Sequence, residues 1–128
     1  MSRWIDLFVD APLEVAELAE ELTRVAGLKF TCGSDGVRHT ARHGDVVLHL
    51  DEHRFLDDRH LPLSKYRYDI AARVSSGSVL DSAEAQVLRH VQGLVRAQGR
   101  PALLVFDLQH VIEEADHRLD QNPAEVGQ

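Results

Sequence analysis

Ile5-Asp6-Leu7-Phe8-Val9-Asp10-Ala11-Pro12, followed at once by Val15, Leu18, Ala19, Leu22, Val25 and Ala26, decides the fold class of this 128-residue chain. Ile5, Leu7 and Val9 alternate with Asp6, Phe8 and Asp10, a period of two that predicts a strand. The next apolar set recurs at helical spacing, with Glu14, Glu17, Glu21 and Arg24 on the opposite side. Asp10 or Ala11 is expected to cap this helix and Pro12 to sit in its first turn, where a missing N–H costs nothing. Gly27 supplies the left-handed stop.

Working outward, Leu28 to Cys32 reads as a short strand and Gly33-Ser34-Asp35-Gly36 as a turn. Val37 to His43 is expected to pair back as a hairpin strand. Asp45 to His53 is a stronger strand, with Val46, Leu48 and Leu50 on one side and Val47, His49, Asp51 and His53 on the other. Arg54 to Pro62 reads as a loop. Tyr66 to Val74 is expected to be a strand that places Tyr66, Tyr68, Ile70, Ala72 and Val74 on one face. Asp81 with Glu84 is a capping box for a second helix along Val87, Leu88, Val91, Leu94 and Val95. Gly99 and Pro101 end that helix. Ala102 to Leu108 is apolar on both faces, as a central strand would be. The order strand, helix, strands, helix, strand predicts an α+β domain: a single antiparallel or mixed sheet with two helices on one face, ferredoxin-like or a related split β-α-β arrangement. The domain is expected over 1–115, with a polar C-terminal tail over 116–128.

Composition narrows the function. Hydrophobic residues make up 44 %, enough for a core, and the net charge is −7 at pH 7. Six acids face two arginines within 1–27, and eight acids face four arginines within 77–128, whereas 28–76 is nearly balanced. So acidic a surface repels phosphate and anionic lipid and attracts basic partners, which argues against nucleic acid and membrane. No apolar run approaches the roughly 20 residues of a membrane span. The N-terminus has no secretory pattern. A single cysteine, Cys32, forbids an internal disulfide and a multi-cysteine zinc site. A cytoplasmic protein is expected.

Candidate chemistry is sparse. His49, Asp51 and His53 alternate on one strand and are metal-ligand types, which would suit a small metal-dependent enzyme. The same three positions are also what the wet side of a half-buried strand looks like. Eight histidines, five of them between His39 and His60, would remove much of the negative charge near about pH 6. There is no Gly-x-Ser-x-Gly elbow and no phosphate-cradling glycine loop. No catalysis and no cofactor are therefore expected. Asp57 and Asp58, with Pro62 and then Tyr66 and Tyr68, combine acids and aromatics where aromatics make up only 5 %. With Asp51 and Glu52 they form the candidate partner-binding surface, since tyrosine gives contact area at low entropy cost and carboxylates steer basic partners.

Three stretches carry a resemblance: Asp6-Leu7-Phe8-Val9-Asp10 before an acidic amphipathic helix, Asp57-Asp58 through Pro62 to Tyr66-Arg67-Tyr68, and Gly99-Arg100-Pro101-Ala102-Leu103-Leu104-Val105-Phe106-Asp107. Together they resemble small actinobacterial immunity proteins of polymorphic toxin systems, over the chain up to Glu114. The resemblance implies a cytoplasmic inhibitor that binds a cognate protein toxin, a basic one such as a nuclease fitting the charge. The rival reading is a regulatory module that forms a homodimer or binds a small ligand on an uncovered sheet face lined by Trp4, Phe8, His49 and Asp107.

Overall fold

Ile5, Leu7 and Val9 of the first strand enter one apolar cluster, while Phe8 between them enters another. In the computed structural model, which describes residues 3–34, 38–53, 62–75 and 77–106, the strands are β1 (Arg3–Val9), β2 (Thr31–Cys32), β3 (His39–His43), β4 (Val46–Glu52), β5 (Tyr68–Val74) and β6 (Ala102–Phe106). The helices are α1 (Val15–Ala26) and α2 (Ala83–Ala97), and a 3-10 turn spans Leu63–Lys65. The strands form one six-stranded sheet in the order β2-β3-β4-β5-β1-β6, with every neighbouring pair antiparallel. β1 therefore lies inside the sheet, between β5 and β6.

The larger cluster takes Ile5, Leu7 and Val9 from β1, with Leu48 and Leu50 from β4 and Tyr68, Ile70, Ala72 and Val74 from β5. Leu18 and Leu22 of α1 and Leu88, Val91 and Val95 of α2 belong to the same cluster. The smaller cluster is Phe8, Leu63, Tyr66, Leu103 and Val105. Adjacent strand residues point to opposite sides of a sheet, so the two clusters occupy its two faces, here called the Leu7 face and the Phe8 face. Burying a large apolar side chain contributes about 1.5–3 kcal/mol, which makes the Leu7 face the main source of stability.

Local chemistry moves several boundaries. The cap of α1 is Glu14, not Asp10 or Ala11: the Glu17 carboxylate accepts the Glu14 backbone N–H at 2.9 Å, and Pro12 lies ahead of the helix. Gly27, at φ 69°, closes the helix in the left-handed region and donates its N–H to the Thr23 carbonyl. The cap of α2 is Ser82, whose Oγ accepts the Ala85 N–H at 3.1 Å, in place of the expected Asp81 capping box. The strand expected from Leu28 shortens to Thr31–Cys32, because Leu28 turns inward as part of the helix stop, its N–H reaching the Leu22 carbonyl. The alternation expected in the fourth strand is present: Val46, Leu48 and Leu50 are buried, and Val47, His49 and Asp51 are half-buried.

A partly buried ion pair joins α1 to the segment that leads into β6. Arg100 donates to both carboxylate oxygens of Glu21, at 3.1 and 2.8 Å, and Glu21 is 8 % exposed. Its carboxyl is held below the usual value by the Arg100 hydrogen bond, against the opposing effect of burial. Gln92 and Arg96 of α2 donate to the Ala102 carbonyl at 3.3 and 2.8 Å, fixing the entry to β6.

Candidate functional site

The Phe8 face carries most of the chemistry-bearing residues. Its rows follow from strand register. Trp4 is opposite Arg73; Asp6 is opposite Ala71 and Val105, and Ala71 is opposite His49, which faces Thr40. In the next row Leu103, Phe8, Asp69 and Asp51 stand side by side. Toward β6 this face is apolar and closed over by Leu63 and Tyr66; toward β3 it is polar and half-buried.

Trp4 is 40 % exposed and lies against His49, ring centroids 6.1 Å apart. His49 Nδ1 is 3.4 Å from the Thr40 hydroxyl. Asp51 accepts a hydrogen bond from Arg38 at 3.2 Å. The His53 ring stands edge-on to Phe8 at 4.9 Å. Burial pushes the His53 imidazole below its ordinary value, against the opposing effects of a hydrogen bond with the Tyr66 backbone and of the Glu52 charge. Burial pushes the Asp69 carboxyl well above the usual range, reinforced by the Asp6 charge, a hydrogen bond with Asp6 and the Asp51 charge.

His49, Asp51 and His53 share a face but not a target. Same-side positions on a strand repeat every 6–7 Å or so, and each of the three turns to a different neighbour: Trp4 and Thr40, Arg38, and Phe8. Among the described residues no group of three or more His, Cys, Asp or Glu side chains is placed to hold a metal ion.

The expected acidic and aromatic surface is divided. Tyr66 and Tyr68 are buried, at 7 % and 0 % exposure, so neither ring is the outward contact the sequence suggested. Nor do they share a face: Tyr68 packs in the Leu7 cluster, whereas Tyr66 follows the 3-10 turn and packs with its turn neighbour Leu63 against Phe8. The Tyr68 hydroxyl donates to the Leu13 carbonyl. Burial raises its pKa. Asp51 lies on the Phe8 face, while Glu52 pairs with Arg67 at 3.2 Å. Arg67 also reaches Glu14 at 3.4 Å and stacks over the Tyr68 ring at 5.1 Å. Asp57, Asp58 and Asp107 lie outside the described residues.

Asp6, Asp69 and Arg67 were not singled out from sequence. An acid in the row between Trp4 and Phe8 was a visible signal for Asp6, but its neighbour Asp69 depends on which strands pair. Elsewhere, a depression of about 190 Å³ lies among Ala26, Leu28, His43, Gln86, Val87, His90 and Val91. That is smaller than the roughly 300–1,000 Å³ of typical ligand sites. No helix among the described residues is long and apolar enough to cross a membrane. Comparison with known protein families, with curated proteins and with solved structures finds no match.

Proposed function

We propose that the protein acts by binding a protein partner, without catalysis, on the polar half of the Phe8 face. The observation that carries this reading is Trp4. It is the one tryptophan of the chain, it is 40 % exposed beside His49, and it borders a half-buried row of polar side chains. Tryptophan in such a setting contributes binding energy out of proportion to its number. The reading takes both helices to cover the Leu7 face, supported by their shared membership of that cluster. It takes the fold as ferredoxin-like with β2 and β3 added at one edge, supported by the order β4-β5-β1-β6. A cytoplasmic location belongs to the same proposal, and a second copy of the chain is one partner it admits.

A narrower version, the inhibitor of a basic toxin such as a nuclease, draws on a different observation. Glu14 and Glu52, 77 % and 55 % exposed at the side chain, flank Arg67 and outnumber it. These carboxylates favour a cationic partner and would speed its encounter at low salt. The tyrosines contribute to this version only as buried support.

Co-expression with the product of the adjacent reading frame, followed by size-exclusion chromatography of wild type and Trp4→Ala, tests both. A complex lost in Trp4→Ala supports binding through the Phe8 face. A complex that Trp4→Ala leaves intact but that Glu14→Lys with Glu52→Lys dissolves moves the contact to the acidic rim. A wild-type chain that stays monomeric and alone at every concentration tried rejects both.

A further inference from the structure

Asp6 and Asp69 project from neighbouring strands onto the Phe8 face as a diagonal pair, Asp6 registering with Ala71 and Asp69 with Phe8. Burial, the Asp6 charge and a hydrogen bond with Asp6 all raise the Asp69 carboxyl above its ordinary value. An ionised carboxylate has no hydrogen to donate, so a bond between two carboxyl groups requires one of them to keep its proton. The surroundings point the same way. Asp6 is 5 % exposed. The Oδ1 atom of Asp69 is sealed from solvent and has no hydrogen-bond partner. A second ionised oxygen in that position would be strongly disfavoured.

The charged and titratable groups facing Asp69 come from three sides. β1 contributes Asp6. β4 contributes Asp51 directly opposite, with His49 one row away. Arg38, 3.2 Å from Asp51, answers that carboxylate. Beyond β4, His53 lies against Phe8, and Arg73, on β5 itself, registers with Trp4. The electrostatic influences acting on Asp69, from burial, Asp6 and Asp51, all favour its neutral form.

We propose that Asp6 and Asp69 share one proton, so that the Phe8 face contains a proton-binding site whose emptying as pH rises weakens the packing of β1 against β5. The pair then carries one negative charge instead of two, and the proton it loses at higher pH goes to solvent. Asp69 binds its proton more tightly in the folded chain than in the unfolded chain, whose value is near 3.8. Stability from this group is therefore complete below that value and is lost progressively as pH rises toward the folded value. Across that window a one-proton difference changes the folding equilibrium constant about tenfold per pH unit.

Two measurements on the full chain test this. In a carbon-13 NMR titration of the aspartate side-chain carboxyls, Asp6 and Asp69 are expected to titrate as a pair, one step low and the other well above ordinary aspartate. Two ordinary steps overturn the proposal, and this outcome is readable in the wild type even where a variant fails to fold. In urea unfolding between about pH 5 and pH 8, the ratio of folding constants, Asp69→Asn over wild type, is expected to climb with pH, by up to about tenfold per unit. For Asp6→Asn the ratio is expected to climb less steeply, since burial and Asp51 still favour the neutral form of Asp69. A ratio that stays flat overturns it. His53 is present in all three proteins, so its own titration cancels.

Discussion

Leu7 and Phe8 are consecutive and both wholly buried, yet they belong to regions built on different rules. Leu7 belongs to an apolar cluster that joins side chains of β1, β4 and β5 with side chains of both helices. The Phe8 face is apolar only toward β6; across β5, β4 and β3 it passes into aspartate, histidine, threonine and arginine with an exposed tryptophan at the border. One face is organised for stability, the other tolerates buried acid and half-buried polar groups. Natural sequences relax local consistency in this way where function competes with folding.

The comparison breaks or sharpens in order of expected effect. Leu7→Ala should lose about 2–5 kcal/mol in urea unfolding, because it opens a cavity in that apolar cluster; a loss under about 1 kcal/mol would show the cluster to be loosely packed. Arg100→Ala should lose about 2 kcal/mol, less than a fully buried pair would, since Arg100 is 22 % exposed at the side chain. Glu21 has a folded-state pKa below its unfolded value, so the stability it provides is present above about 4.5 and is lost as pH falls through the folded value. Wild type and Arg100→Ala should thus converge in stability in acid, and a gap that persists there would remove the ion pair from the explanation.

On the Phe8 face the expected effects are smaller. His53 has its folded-state value lowered by burial, so its contribution is present above 6.5 and fades as pH falls below that. Proton NMR of the imidazole should place its midpoint below 6.5, and a midpoint above it would contradict the buried setting. Trp4→Ala should change stability least, by about 0.5 kcal/mol, while reducing partner binding at least tenfold. A large stability loss would mean that Trp4 belongs to the core and does not mark a binding border.

How far the sequence was legible differs between these regions too. The alternation of Ile5, Leu7 and Val9, the helical spacing from Val15 to Ala26 and the two sides of β4 were readable because each rests on residues close in sequence. Helix caps were less so: Asp81 and Ser82 both suit a cap, and only the geometry that brings the Ser82 Oγ to the Ala85 N–H selects one. Tyr66 was misplaced by extending the period of β5 one step too far, past the point where Arg67 makes its last backbone contact with His53 and the 3-10 turn takes over. The Asp6–Asp69 pair was out of reach, because it depends on β1 pairing with a strand far along the chain.

That long-range pairing bears on how the protein is made. Val9 registers with Tyr68 on one side and with Ala102 on the other, so β1, an inner strand, is made well before either of its partners. On a ribosome β1 must wait for β5, and then for β6, to emerge before both of its edges are answered. Folding dominated by such distant contacts is slow. Nascent chains arrested before Ala102 should accordingly be cut readily by protease throughout, and resistance appearing earlier would mean that β1 finds a provisional mate.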